Sequence, residues 1–242
     1  MFLIIQTGDP VTPALNQFGR FDQWFTTAME LTHEQVQVVN VHRGAPLPND
    51  PEAANYTGII ITGSPAMVTD GDEWLLSTQN WLEGTFKNRI PTLGVCFGHQ
   101  LLVDLLGGEV GYNPNGRNLG LSEFTLQAAA DQDALLGHLK PASTIDTYAS
   151  HLQSVKKLPA SAVRLGHCDL DKNHAFRSDD FIWGLQFHPE WNAAITATYI
   201  EARHEDLLAE GRKPEHMKQA LKACPDAYDL LPRFRDLAKS FN

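Results

Sequence analysis

Cysteine is scarce in this chain of 242 residues: there are three, Cys96, Cys168 and Cys224. An odd, widely spaced set makes a poor disulfide framework. No Cys-x-x-Cys pair is present to hold structural zinc. Clustered positive charge is also missing. Lys and Arg number 19 against 29 Asp and Glu, a formal net charge of −10, and no run of Lys or Arg interrupts that balance. Phosphate backbones bind to clustered cations, so nucleic acid is excluded as the main partner. The acidity is read as a source of solubility. Long apolar runs are lacking too, and none approaches the ~20 residues of a membrane span. The opening Met1-Phe2-Leu3-Ile4-Ile5-Gln6-Thr7-Gly8 has no basic region and no long apolar core, so no secretory signal is expected. A reducing cytoplasm is the expected setting.

What is present is ordinary globular composition, with 43% hydrophobic and 20% charged residues, in a chain long enough for one well-buried core. Short β-rich runs alternate with helical patterns. Phe2–Ile5, Val36–Val41, Gly58–Thr62 and Thr92–Val95 read as strands. The unbroken apolar character of Gly58–Thr62 fits a strand buried on both faces of a parallel sheet. Phe18, Phe21, Phe25 and Met29 fall at helical spacing with Trp24 beside them. Trp74, Thr78, Trp81 and Phe86 mark another helix, and Leu101, Leu102, Leu105 and Leu106 a third that Gly107-Gly108 ends. Alternation of this kind predicts an α/β fold with a doubly wound, mostly parallel sheet. Leu119–Leu126 and Val163–Cys168 read as strands of an antiparallel excursion, and Phe181–Phe187 as a last buried strand. After Trp191 the pattern is helical, cut into short pieces by Pro214, Pro225 and Pro232. The expected organisation is one domain, with a catalytic core over about 1–191 and a helical extension over about 192–242.

Gly94-Val95-Cys96-Phe97-Gly98-His99-Gln100 follows a strand and precedes an apolar helix. It is Gly-x-Cys-x-Gly, the cysteine form of the nucleophile elbow. The flanking glycines suit a sharp turn where side chains would collide. The turn exposes the thiol at the strand's C-terminal end, at a helix N-terminus that favours thiolate. In a doubly wound sheet ligands bind at that edge.

A cysteine nucleophile needs a base, and the base an orienting group. Gln186-Phe187-His188-Pro189-Glu190-Trp191 offers both at the end of the last strand. Residues two apart in extended chain share a side, and Pro189 biases His188 towards extended backbone. His188 and Glu190 are therefore the candidate base and its partner. Gly63 and Ser64, in the turn after the third strand, and the N–H of Phe97 are candidate oxyanion donors. His99 reads as structural. His167, Cys168 and His174 match no metal-ligand spacing, and Asp70, Asp72 and Glu73 read as caps for the helix near Trp74.

Gly94–Gln100 together with His188-Pro189-Glu190 resembles the signature of class I (triad) glutamine amidotransferases. It is most like the glutaminase domain of GMP synthase and its free-standing relatives, which include plant γ-glutamyl peptidases. The resemblance implies a flavodoxin-like fold and cleavage of a γ-glutamyl amide through a Cys96 thioester, glutamine giving glutamate and ammonia. It further implies that Gln100, Ser150 and His151 contact the substrate, the last two in a loop Tyr148-Ala149-Ser150-His151. No cofactor or metal is implied. The implied partners are glutamine or a γ-glutamyl compound and, for the ammonia, a separate synthetase. Three departures stand out. Ser64 replaces the middle glycine of the usual Gly-Gly-Pro turn. Leu152-Gln153 replaces the Gly-Asp that usually follows Ser-His. No nucleotide motif appears after Trp191. Three readings stay open: a glutaminase, a γ-glutamyl peptidase or conjugate hydrolase, and a non-catalytic or stress-type relative with the DJ-1-like architecture.

Overall fold

Strand β1 (Phe2–Gln6) shows why its run is apolar at successive positions. Phe2 and Ile4 enter one hydrophobic core, while Leu3 and Ile5 enter another on the opposite face. A strand covered on both sides has no face to leave polar. The computed structural model describes residues 1–48, 55–140 and 142–241. Beyond β1 come α1 (Thr12–Phe18), α2 (Phe21–Ala28), β2 (Val36–Asn40), β3 (Gly58–Ile61), α3 (Glu73–Phe86), β4 (Thr92–Val95) and α4 (Phe97–Leu105). The middle of the chain forms β5 (Glu109–Tyr112), β6 (Asn118–Leu126), β7 (Thr144–His151), β8 (Gln153–Lys157), β9 (Ala162–Cys168), β10 (Asp171–Ser178) and β11 (Ile182–Leu185). The chain then turns helical: α5 (Ala193–Ala202), α6 (His204–Ala209), α7 (Pro214–Gln219), α8 (Pro225–Tyr228) and α9 (Leu230–Ser240).

Nine strands form one sheet in the order β2-β1-β3-β4-β11-β10-β9-β6-β7, and β5 pairs with β8 in a separate ribbon. The five strands from β2 to β11 run parallel. The rest continue antiparallel. The expected α/β sheet is therefore present, with a larger antiparallel half than the two strands read from sequence. Helices α3 and α4 cover one face through Leu75, Trp81, Leu82, Leu101 and Leu102. Helices α2, α5 and α9 cover the other through Phe25, Ile195, Ile200, Leu231 and Phe234. The helical extension thus contributes side chains to the core.

Four strands carry no clear signal in the sequence. In β10 the residues Asp171, Asn173, His174 and Ser178 are polar yet buried, so no apolar alternation announces it. β5, β7 and β8 are similarly mixed. Tyr148–His151, expected as a loop, is the end of β7. The single stripe Phe18–Met29 is two helices: Gly19 leaves α1 at φ 81° and Arg20 is extended before α2. The last strand ends at Leu185, short of Phe187. The Asp72 side chain precedes α3 without accepting a backbone N–H, and takes the Trp74 indole N–H instead (3.1 Å); the Asp70 carboxylate accepts Met67 N–H (3.4 Å).

Candidate active site

Three neighbouring parallel strands, β3, β4 and β11, deliver their C-terminal ends to one edge of the sheet. Thr62-Gly63-Ser64 leaves β3, Cys96 leaves β4, and Gln186–Glu190 leaves β11. Cys96 adopts φ 53° and ψ −101°, a conformation L-residues rarely take and one that surrounding structure must hold. Its N–H donates to Leu185 O (2.8 Å) and its carbonyl accepts Gln100 N–H (3.2 Å). The glycines serve close approach. A Cβ at Gly98 would lie 2.3 Å from Ile61 O, and one at Gly94 2.4 Å from Gly98 O. Their absence lets α4 start directly on the sheet, with the Cys96 sulfur at its N-terminus.

His188 sits opposite. Its N–H donates to Tyr148 O (2.8 Å), and its Nδ1 lies 2.7 Å from Glu190 Oε1. A carboxylate only accepts, so this contact places the proton on Nδ1 and leaves Nε2 for the sulfur. Burial pulls the His188 pKa down, but the Glu190 carboxylate and the Cys96 sulfur more than reverse this, pushing it up to about 10. Trp191 stacks on the imidazole at 4.1 Å and fixes its plane. Both His188 and Glu190 are 3% exposed, so water does little to screen the pair.

The Gly63–Ser64 peptide is pinned from behind. Gly63 O accepts from Thr7 Oγ1 (3.0 Å) and Thr62 Oγ1 (3.0 Å). In a trans peptide the N–H points opposite to the carbonyl. The Ser64 N–H therefore faces away from these two hydroxyls, and Ser64 itself lines the cleft. The Ser64 hydroxyl is used inward, donating to Thr7 O (2.7 Å) and accepting Ala66 N–H (3.1 Å). A Cβ at Gly63 would lie 3.1 Å from His188 Cε1, so glycine lets the turn rest against the imidazole. Phe97 N–H, at the first position of α4, has no intrahelical acceptor. Sequence reasoning missed Thr7, and nothing in its local pattern signals the role.

The cleft holds roughly 230 Å³ and is lined by Cys96, His188, Gln100, Ser150 and His151, among others. Ser150 O lies 3.6 Å from the Cys96 sulfur. The Gln100 amide nitrogen is already engaged by Gln153 O (2.8 Å) and Gln186 Oε1 (2.9 Å), leaving its oxygen for a ligand. Tyr148 is not at the cleft; its hydroxyl donates to Lys222 O in the helical extension. Asp9, Arg117 and Arg203 bring charge to the cleft. Arg203 and Tyr199 belong to the extension, so the site draws on residues beyond 191. No local pattern announces this, because the pairing of Arg117 with Glu210 (2.9 Å) is a contact across 93 residues.

His99 is fully buried, and burial lowers its pKa to about 4, in keeping with the structural reading. Of the three residues with no metal spacing, His174 and Cys168 do meet (3.6 Å); His167 is not in their group.

A family model for class I glutamine amidotransferases matches residues 15–203. The chain belongs to that family. Among curated proteins it is similar to gamma-glutamyl peptidase 2 of Arabidopsis thaliana, 27% identical over 85% of this chain and 82% of the relative. It is also similar to a glutamine-hydrolyzing GMP synthase component of Haloarcula marismortui, 34% identical over 58% of this chain and 67% of that one. Among solved structures a glutamine amidotransferase of Thermotoga maritima matches 99% of this chain and 98% of its own with a TM-score of 0.77 at 18% identity; this likeness is one of fold. No helix among the described residues is long and apolar enough to cross a membrane.

Proposed function

We propose that this family member hydrolyses a γ-glutamyl amide through a thioester on Cys96. The observation that carries the reading is that Cys96, on its strained turn, shares the cleft with His188, whose Nδ1 lies 2.7 Å from Glu190 Oε1. The thiolate attacks the γ-carbonyl carbon, and the oxygen becomes an oxyanion that accepts from the N–H groups of Phe97 and Ser64. Collapse breaks the C–N bond while His188 gives its proton to the leaving nitrogen. Water, deprotonated by His188, then attacks the thioester and restores the Cys96 thiol. With glutamine the products are glutamate and ammonia, and the ammonia passes to a separate acceptor enzyme. Gln100 Oε1, Ser150 and His151 line the space for the glutamyl group. Family membership favours this enzyme over the non-catalytic alternative.

A γ-glutamyl peptide or conjugate is the second reading, and two observations favour it. No acidic side chain stands at Leu152-Gln153, and the Gln153 amide nitrogen is engaged by Thr69 Oγ1 (2.6 Å). The peptidase-named relative also aligns over 85% of the chain, against 58% for the GMP synthase component. The test is a panel of glutamine and γ-glutamyl dipeptides, with Cys96→Ala alongside. Release of glutamate by the wild type alone is expected. Equal inactivity of both proteins on every amide refutes the proposal, and the ratio of kcat/KM between dipeptide and glutamine chooses the substrate.

A further inference from the structure

Behind the wall of the cleft lies a second group of buried side chains that the proposed chemistry does not use. His151 ends β7, and Asp171 and His174 belong to β10. One potential ligand atom from each lies within 4.8 Å of the others. All three residues are buried: His151 is 7% exposed, Asp171 4% and His174 0%. The hydrogen-bond partners of the Asp171 carboxylate are His174 and the Asn173 backbone N–H, neither of them a Lys or Arg.

The hydrogen bonds define which ring nitrogens lack a partner. His151 Nδ1 lies 2.8 Å from Gln153 O. A carbonyl only accepts, so Nδ1 carries the proton. With the proton on Nδ1, Nε2 of the neutral ring carries a lone pair. That Nε2 is buried with no hydrogen-bond partner. His174 Nδ1 lies 3.3 Å from Asp171 Oδ2, and its Nε2 is likewise buried without a partner. His151, with Nδ1–H on a carbonyl and Nε2 available, has the arrangement metal sites use to fix the tautomer and orient the ligand. Asp171 Oδ1 is itself held by Asn173 N–H (3.0 Å).

We propose that His151, Asp171 and His174 form a binding site for one divalent transition-metal cation of the zinc type. With His151 Nε2, His174 Nδ1 and Asp171 Oδ2 as donors, two imidazoles and a carboxylate make a zinc donor set, with a further position left for water or a neighbouring thiol. Cys168 is the thiol at hand, its sulfur 3.6 Å from His174 Nδ1 and held by Asn118 Nδ2. The access route is the cleft, because His151 lines it. His151 therefore joins the two sites, and an ion on it steadies the β7 end that carries Ser150. A second group, Glu201, His204 and Glu215, is solvent-facing, and Lys218 already bridges both of its carboxylates at 2.7 and 2.8 Å; it serves as the control.

The test uses Cys96→Ala protein, so that the candidate nucleophile cannot hold the ion. The full chain is stripped with chelator and titrated with Zn2+ by calorimetry, and with Co2+ by visible absorption. One ion per chain is expected, with X-ray absorption showing two imidazole ligands. His174→Gln and His151→Gln should each weaken Zn2+ at least about 10–100-fold, and His204→Ala should leave it unchanged. The absorption measurement needs no substitution in the cluster, so misfolding of a variant does not shelter the proposal. No stoichiometric ion at micromolar Zn2+, an ion without two imidazoles, or one that is lost with His204, overturns it. Because only binding is read, the result is independent of the hydrolase reading.

Discussion

Thr7→Val removes one hydroxyl at constant shape. That hydroxyl lies 3.0 Å from Gly63 O and 3.0 Å from Thr62 O, and Thr7 is 0% exposed. A hydroxyl has one proton, so it serves one of these carbonyls at a time; Thr62 Oγ1 is the other donor to Gly63 O. Leaving a buried acceptor short of a donor costs about 1–3 kcal/mol. Part of that cost appears as lost stability, and part as freedom of the Gly63–Ser64 peptide to rotate. Rotation turns the Ser64 N–H out of the cleft, and full loss of one oxyanion donor is worth about 10²–10³ in kcat. The expected result is a kcat lower by about 10- to 10³-fold with KM changed less than about threefold, since the donor acts on charge that develops only in the transition state. Thr7→Ser keeps the hydroxyl and should retain most of the rate. Steady-state kinetics on the substrate found active in the panel, with a thermal melt beside it, supply the numbers. If Thr7→Val melts lower yet keeps kcat within twofold, the pinned peptide is structural only and its role at the oxyanion is refuted.

Glu190→Gln removes the carboxylate that holds the His188 pKa up to about 10; kcat should fall at least about 100-fold, and the alkaline limb of the kcat/KM profile should move to lower pH. A pKa raised on folding contributes stability that is complete below about 6.5, the unperturbed imidazole value, and is lost as pH rises through about 10. The melting-temperature advantage of wild type over Glu190→Gln should therefore shrink across that window. Gly98→Ala places a Cβ 2.3 Å from Ile61 O, and should cost about 1–3 kcal/mol or more together with most of the activity, read by melt and assay. Phe234→Ala empties a fully buried site against Trp183; a loss of about 3–5 kcal/mol corresponds to roughly 6–20 °C in melting temperature, and a change under about 3 °C would show that the extension is not integral to the core.

The parallel half of the sheet was legible because its strands are apolar on both faces, as in Ile59-Ile60-Ile61. The elbow was legible because close approach leaves glycine as the residue that fits at 94 and 98. His188 and Glu190 were legible as neighbours two apart in extended chain. In the antiparallel half β6 and β9 were legible, but β7 and β10 were not, because polar residues such as Asp171, Asn173 and His174 are buried in β10 by pairing with one another, with Arg164 and with nearby backbone rather than by pattern. Contacts across long separations were equally silent. Thr7 meets Gly63 across 56 residues, and Arg117 meets Glu210 across 93; no local spacing encodes either one. The substrate segment was misplaced as a loop, since Tyr148 faces Lys222 while Ser150 and His151 reach the cleft.

The central claim is a covalent glutamyl intermediate on one of three cysteines, all of them buried and free of disulfides. Intact-protein and peptide mass spectrometry after rapid acid quench of the reaction measures it directly. A γ-glutamyl adduct is expected on Cys96 that forms within one turnover, decays as substrate is exhausted, and is absent from Cys96→Ala. Turnover that persists in Cys96→Ala, or an adduct carried by Cys168 or Cys224 instead, would contradict it.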